Sequence, residues 1–237
     1  RERQWQTFQR YGLHLLKHVE WIETLPEQFS GIMLGNEVLD AMPAHLVSRG
    51  ENGWQERGVT TSAESFMWAD RPLSNTALSD ICNRLGVVTP YLSEISLANR
   101  AFIRTLAQHL RQGLILLIDY GFGASEYYHP QRNQGTLMCH YRHHSHGEPF
   151  FLPGLQDITA HVDFTAIVEA ALEAVVHAVA AGRRDGSCRC DRHEFAVFAR
   201  RYRPLTLATM ANRRRPGDHC RRPGVCAAAF HRPGDGA

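Results

Sequence analysis

Leu114-Ile115-Leu116-Leu117-Ile118-Asp119-Tyr120-Gly121 is the stretch on which the fold turns. Five apolar residues without polar alternation suit a strand buried on both faces, the condition of strands in parallel sheets. A helix is predicted immediately before it, over 95–110. Ile95, Ala98, Phe102, Leu106 and Leu110 trace its apolar face, and Asn99, Arg100 and Gln108 its solvated one. Gly113 reads as the C-cap of that helix. Further upstream, Gly31-Ile32-Met33-Leu34-Gly35-Asn36-Glu37 repeats the grammar: a short apolar run that ends in a polar pair. Helix, tight link, apolar strand and polar tip make the rhythm of a doubly wound α/β sheet, whose ligands sit outside the carboxyl ends of the strands. Residues 32–36 and 114–118 are therefore expected as adjacent central strands, with the helix across one face.

The flanks are less uniform. Residues 1–17 carry Trp5, Phe8, Leu13 and Leu16 at helical spacing, interrupted by Gly12, and 19–25 reads as a short strand or turn. Residues 44–60 read as a hairpin around Gly50 and Gly53. Residues 61–90 show no clear period. Residues 122–160 are long for a loop, and a stretch of that length implies a function or concealed structure. A helix follows, with Asp163 or Thr165 as its cap and Ile167, Val168, Ala171, Leu172 and Val175 on its apolar face.

The chain has 237 residues, 43% hydrophobic and 21% charged, which fits a globular domain rather than a disordered one. No run of 18 apolar residues occurs, so no membrane span is expected. The opening Arg1-Glu2-Arg3-Gln4 does not have the form of a signal peptide. Six cysteines without a secretion signal point to reduced thiols and a cytoplasmic setting. Residues 1–182 carry a net charge of −6 and residues 183–237 one of +8. The basic part includes Arg213-Arg214-Arg215 and Arg221-Arg222, but no interleaved aromatics frame it, and nucleic-acid binding is not expected. Arginine outnumbers lysine 25 to one, as in GC-rich coding sequence. Residues from about 176 onward, rich in Arg, Gly, Pro and Cys, are expected to be a frameshifted or poorly packed end. Neither His140, His143, His144 and His146 nor Cys188, Cys190 and His193 has the spacing of a metal site, and no metal is expected.

A set of separate pieces carries a family resemblance. They are Gly35-Asn36-Glu37-Val38-Leu39-Asp40-Ala41-Met42-Pro43, Tyr91-Leu92-Ser93-Glu94-Ile95, Leu117-Ile118-Asp119-Tyr120-Gly121, Gly135-Thr136-Leu137, His140-Tyr141, Pro153-Gly154-Leu155-Gln156-Asp157-Ile158-Thr159 and His161-Val162-Asp163-Phe164. With these the chain resembles the MidA-like family of class I methyltransferases, whose mitochondrial members assist respiratory complex I assembly. Where the family usually has Phe-Phe after Asn-Glu, this chain has Val38-Leu39. The resemblance implies a doubly wound, Rossmann-like α/β class I methyltransferase fold without its first strands. It assigns 1–175 to a partial methyltransferase domain and 176–237 to the tail.

The resemblance further implies S-adenosylmethionine as cofactor, methyl transfer to an arginine of a protein substrate, and room for a homodimer. Asn36 and Glu37 would border the cofactor. Glu37, Asp40 and Glu94 are the acids expected to hold a cationic acceptor, and Asp119, Tyr120, His161 and Asp163 to shape its pocket. The plain structural alternatives are a helix cap for Asp40, a first-turn helix position for Glu94 and a bracing pair for His161 and Asp163. No Glu-x-Gly-x-Gly loop occurs in the sequence. The chain as written is therefore expected to bind the cofactor poorly, and the competing reading is a non-catalytic interaction or assembly-factor remnant.

Overall fold

A computed structural model describes residues 1–63, 65–182, 193–200 and 206–210. Helix α1 (Glu2–Tyr11) gives way at Gly12 to a turn of 3₁₀ helix, Leu13–His18, and neither buries a residue. Residues 19–25 contain no strand. Then come β1 (Phe29–Asn36), β2 (His45–Gly50), β3 (Gly53–Ser62), β4 (Ser65–Arg71), α2 (Thr76–Arg84), β5 (Tyr91–Ile95), α3 (Leu97–His109) and β6 (Leu110–Phe122). The stretch 122–160, aperiodic in sequence, holds the short α4 (Ala124–Tyr127), β7 (Met138–Tyr141), β8 (His144–His146) and β9 (Asp157–Thr159). β10 (Val162–Asp163) leads into α5 (Phe164–Gly182), and β11 (His193–Arg200) and β12 (Thr206–Met210) complete the described elements.

The elements form a mixed α/β arrangement with three sheets. The main one runs β1-β6-β11-β12, with β10 paired to the end of β6. β1, β10 and β11 all run parallel to β6. A second, antiparallel sheet runs β4-β3-β2-β5, and a third, small one runs β8-β7-β9. The expected hairpin of 44–60 is β2–β3, closing at the Gly50–Gly53 pair. One core lies under the main sheet, where Ile103, Leu106 and Leu110 meet Ile115 and Leu117 of β6 and Ile167, Ala170 and Ala171 of α5. α3 and α5 lie side by side, joined at the surface by Arg100–Glu169 and Arg104–Glu173 ion pairs. A second core gathers Val47, Leu78, Ile81, Cys82 and Ile95 beneath the antiparallel sheet.

Three expectations need correction. β1 and β6 are adjacent and in parallel register, but only β6 is central; among the described residues β1 is an edge. Ile32 and Leu34 are 66% and 69% exposed on its outer face. An unbroken apolar run suits cover on both faces, yet among the described residues one face of β1 is exposed, and the run carries no information about lateral neighbours. Second, the helix over 95–110 loses its ends: Ile95 closes β5 and Leu110 opens β6. Ser96 caps α3 through Oγ, which accepts from Asn99 N at 3.1 Å.

Third, Gly113 is no helix cap. It lies within β6 at φ 143° opposite Gly31, and a Cβ there would stand 1.8 Å from the Gly31 carbonyl oxygen. Two glycines face each other because the backbones approach more closely than side chains permit. α5 runs through position 175, and β11 and β12 pair within the main sheet; the remaining residues of the expected tail lie outside the described ones. The Cys188–Cys190 spacing and the arginine runs lie outside the described residues.

Candidate active site

The carboxyl ends of β1 and β6 lie side by side, so the loop leaving β1 meets the tip of β6. Asp119, 1% exposed, sits at that meeting point. Its Oδ2 accepts from three successive backbone amides, Val38 N at 3.1 Å, Leu39 N at 2.8 Å and Asp40 N at 3.4 Å. Its Oδ1 accepts from Tyr120 N at 2.8 Å. The loop is held from its carbonyl side as well: Asn99 Nδ2 donates to Leu39 O at 3.0 Å and Ala160 N to Asp40 O at 3.0 Å. Glu37 takes a left-handed backbone, φ 52°, to begin this loop, and its N–H donates to Ile118 O. Asp119 was expected to shape the substrate pocket directly. Its oxygens are spent on main-chain amides, so its action on a ligand is indirect.

Asp119-Tyr120-Gly121-Phe122-Gly123 also places two glycines after an acid at a strand end. Here β6 continues to Phe122 and pairs with β10, and a Cβ on Gly121 would stand 2.1 Å from Val162 O. That glycine serves the close pairing of two strands.

Beside the Asp119-bound loop a narrow cleft opens between β5, α3, α4 and the start of α5. Asp40, Glu94, His161 and Asp163 line it together with Asn99, Arg100, Tyr127 and Tyr128. Four of the residues singled out from sequence are thus brought together. Asn36, Glu37 and Tyr120 are outside the cleft; Asn36 and Glu37 are exposed at the tip of β1, and Tyr120 is exposed near that of β6.

Glu94 is the penultimate residue of β5 and is 2% exposed, so it is neither a helix residue nor a free carboxylate. Its two oxygens accept from Thr136 N, Thr136 Oγ1 and Leu137 N at 2.9–3.1 Å, with Tyr127 OH at 3.4 Å. Gly135, at φ 74°, lets that loop come in, since a Cβ would lie 2.3 Å from Glu94 Oε1. Burial pushes the Glu94 carboxyl up in pKa, against the downward pull of these hydrogen bonds. Glu94, expected as a catalytic acid, clamps residues 135–137 in this structure through the hydrogen bonds it accepts from Thr136 and Leu137.

Asp163 accepts from Tyr128 OH at 3.1 Å and from Ala166 N at 3.2 Å, the latter as the cap of α5. Thr165, the other cap candidate, instead accepts from Ala124 N through Oγ1. Burial raises the Asp163 carboxyl and, with the Asp163 charge beside it, the Tyr128 hydroxyl. His161 donates its backbone N–H to Thr136 Oγ1 at 3.0 Å and sets its ring edge-on to Phe122, on which the Arg132 guanidinium also stacks. Burial, reinforced by Arg132, lowers its pKa, which keeps the imidazole neutral at neutral pH.

Asp40 differs from the other two acids. No helix follows it to be capped, and its carboxyl is part-exposed at the cleft. Its pKa is raised, first by burial and then by the neighbouring Asp119 charge, against the downward pull of a hydrogen bond from Ala41 N. Sequence reasoning missed Asn99 by placing it on the solvated face of α3; it is 6% exposed. It also left Tyr127 and Tyr128 without a role, because nothing in an aperiodic stretch marked them as inward-facing.

A mixed α/β fold with parallel strands whose polar tips border an acid-lined cleft defines a class of ligand-binding enzymes rather than one chemistry. The comparisons narrow it. Residues 1–180 match the profile of the family described as "Putative S-adenosyl-L-methionine-dependent methyltransferase". The chain belongs to this family, whose cofactor is S-adenosylmethionine. It is 30% identical over 164 residues to protein arginine methyltransferase NDUFAF7, mitochondrial, of Danio rerio, covering 65% of this chain and 35% of that protein. It is 28% identical to the Drosophila melanogaster homologue, covering 62% and 33%. A Burkholderia thailandensis structure with bound S-adenosyl-homocysteine superposes with a TM-score of 0.69 at 48% identity, covering 73% of this chain and 45% of that one. A native crystal structure from the same organism gives 0.70, also at 48% identity. The chain thus spans about a third of the curated relatives it matches and under half of the solved ones.

Proposed function

We propose that this chain contributes the acceptor side of a methyltransferase that moves a methyl group from S-adenosylmethionine to an arginine nitrogen of a protein substrate. The observation that carries this reading is Asp40. Among the three carboxylates of the cleft, Glu94 and Asp163 are bound up with protein donors, while Asp40 is fixed by its backbone and keeps carboxylate oxygen for a cationic ligand. The names of the curated relatives add the arginine to a family assignment that is itself only methyl transfer.

Bound S-adenosylmethionine supplies a methyl group on a sulfonium, a leaving group already activated. Asn36 and Glu37 fit one wall of a site for it: an amide and a carboxylate presented at the carboxyl end of a parallel strand, where α/β sheets take their ligands. The acceptor guanidinium must lose one proton for its nitrogen to attack, and it carries its charge into the cleft. Asp40 would hold that charge and receive the hydrogen bond of the reacting group. Asp119 and Asn99 would keep Asp40 in place, and the buried surroundings would exclude water. The substrate is accordingly a protein segment presenting arginine. A cytoplasmic setting with reduced thiols belongs to the same reading, and Cys82 and Cys139 are buried free thiols.

The second reading is a non-catalytic interaction protein, favoured by Asp119 and Glu94, whose carboxylates both serve the chain's own amides. One pair of experiments separates the two. Calorimetric titration with S-adenosylmethionine is run on the chain and on a version extended upstream, and transfer of labelled methyl to an arginine peptide is followed in both, with Asp40→Asn beside them. Binding and transfer by the extended version, lost at least tenfold in transfer on Asp40→Asn, is the expected result. No transfer by either supports the interaction reading, and equal micromolar binding by both overturns the assignment of a single wall to this chain.

A further inference from the structure

Four buried side-chain polar atoms among the described residues have no hydrogen-bond partner, and two of them belong to residues of the cleft: Asn99 Oδ1 and His161 Nδ1. An unpaired buried acceptor costs on the order of 1–3 kcal/mol, so two in one cleft call for a ligand that answers both. Their chemistry is defined. Asn99 Nδ2 must be the atom facing Leu39 O, because a carbonyl oxygen only accepts, and this leaves Oδ1 as the open end of the amide. The ring of His161 sits edge-on to Phe122, and its unpartnered Nδ1 is an acceptor in the tautomer that carries the proton on Nε2. Asp40, with carboxylate oxygen to spare, lines the same space.

Acceptors of this kind, with a carboxylate among them, are the complement of a flat group bearing several N–H donors and a positive charge. We propose that Asn99 and His161 are specificity residues of the acceptor site: Asn99 Oδ1 and His161 Nδ1 take N–H groups of a guanidinium whose charge Asp40 balances. This rests on the reading of the cleft as the acceptor site, and goes beyond it by naming the groups that tell a guanidinium from an amine. A lysine ammonium is tetrahedral and concentrates its donors on one nitrogen; a guanidinium spreads five donors around a plane, so it can reach acceptors on separate walls. The three acceptors come from three elements: the loop after β1, the first turn of α3 and the residue before β10.

The test uses the full 237-residue chain and three small probes, the N-acetyl amides of arginine, citrulline and lysine, with binding read by NMR titration. Citrulline has the shape of arginine without its charge. The expected order is arginine tightest, with the Asn99 side-chain amide and the His161 ring shifting on addition. Asn99→Ala and His161→Phe should each weaken arginine binding by about tenfold, the worth of one hydrogen bond to a charged donor, and should narrow its lead over lysine. His161→Phe retains the ring packing on Phe122, so it carries the test if Asn99→Ala, which also strips the donor from Leu39 O, fails to fold. Thermal melts identify that case.

Parent-like arginine binding in folded His161→Phe and Asn99→Ala overturns the proposal. If Asp40→Asn still abolishes binding there, the acceptor-site reading survives it. Equal binding of arginine and lysine by the parent also overturns the proposal and leaves that reading standing. No binding of any probe to the parent overturns both, the two orphan atoms then being served by water.

Discussion

Replacing Asp119 by Ala removes the single carboxylate on which Val38, Leu39, Asp40 and Tyr120 place their amide hydrogens. Each hydrogen bond to a charged acceptor contributes about 1.5–3 kcal/mol. The four do not add in full. The 3.4 Å contact from Asp40 N is long and the amides of Val38 and Tyr120 are only part-buried, so water recovers some of the loss. Leu39, at 1% exposure, has no such recourse. A net loss of about 3–5 kcal/mol follows, within the range of a broken buried network. Asp119→Asn should fall between the parent and Ala, because its amide offers one oxygen to the loop and must turn its NH₂ towards another donor. Urea unfolding gives the loss, and amide hydrogen exchange locates it, with protection at Leu39 expected to fall most. An Asp119→Ala protein within about 1 kcal/mol of the parent, or one with unchanged exchange at Leu39, would refute the account of Asp119 as the anchor of this loop.

Glu56, 4% exposed, lies among His45, Ser74 and Arg71. Burial works to raise its pKa, but the hydrogen bonds from His45, Ser74 and Arg71 together hold it at about 2 instead of 4.5. A depressed carboxylate pKa stabilises the fold fully above pH 4.5, and that stability is lost as pH falls towards 2. The difference amounts to on the order of 3 kcal/mol, so acid unfolding of Glu56→Gln should show a shallower dependence over that window, and an unchanged slope would count against it. Gly113→Ala drives a Cβ into the Gly31 carbonyl oxygen at 1.8 Å and strains φ 143°. It should cost more than about 3 kcal/mol or forbid the β1–β6 pairing, read by thermal melt, whereas Gly147→Ala, with nothing within 4 Å of its Cβ, should be near neutral.

The apolar run 114–118 and the run 31–36 each announced a strand, and their adjacency followed from shared polar tips. The hairpin at Gly50 and Gly53 was equally legible, since turn residues and flanking β-formers are local signals. What escaped was set by contacts distant in sequence. Asn99 carries the same period as its neighbours on α3, and only the Leu39 carbonyl, 60 residues away, draws it inward. An acid after a strand looks alike whether it faces a ligand or the backbone; Asp119 and Glu94 both proved to face backbone amides, while Asp40, in the separate stretch 35–43, opens on the cleft. The three strands of 138–159 are too short to impose a period, so the small sheet was invisible until the pairing was seen.

The Glu94 clamp has a kinetic side. One carboxylate ties residue 94 to 136 and 137, and the hydroxyl of Thr136, which donates to that carboxylate, accepts from the amide of residue 161. Three chain segments separated by dozens of residues are joined through two side chains. None of the joints closes a short loop, so each must await the collapse of the elements around it. The cleft is then among the last parts of the chain to assemble, and it has no half-built form: releasing residues 135–137 frees Glu94, Thr136 and the main chain at His161 in one event. Local opening of this region should behave as a single cooperative unit, with the amides of Thr136, Leu137 and His161 exchanging at a common rate.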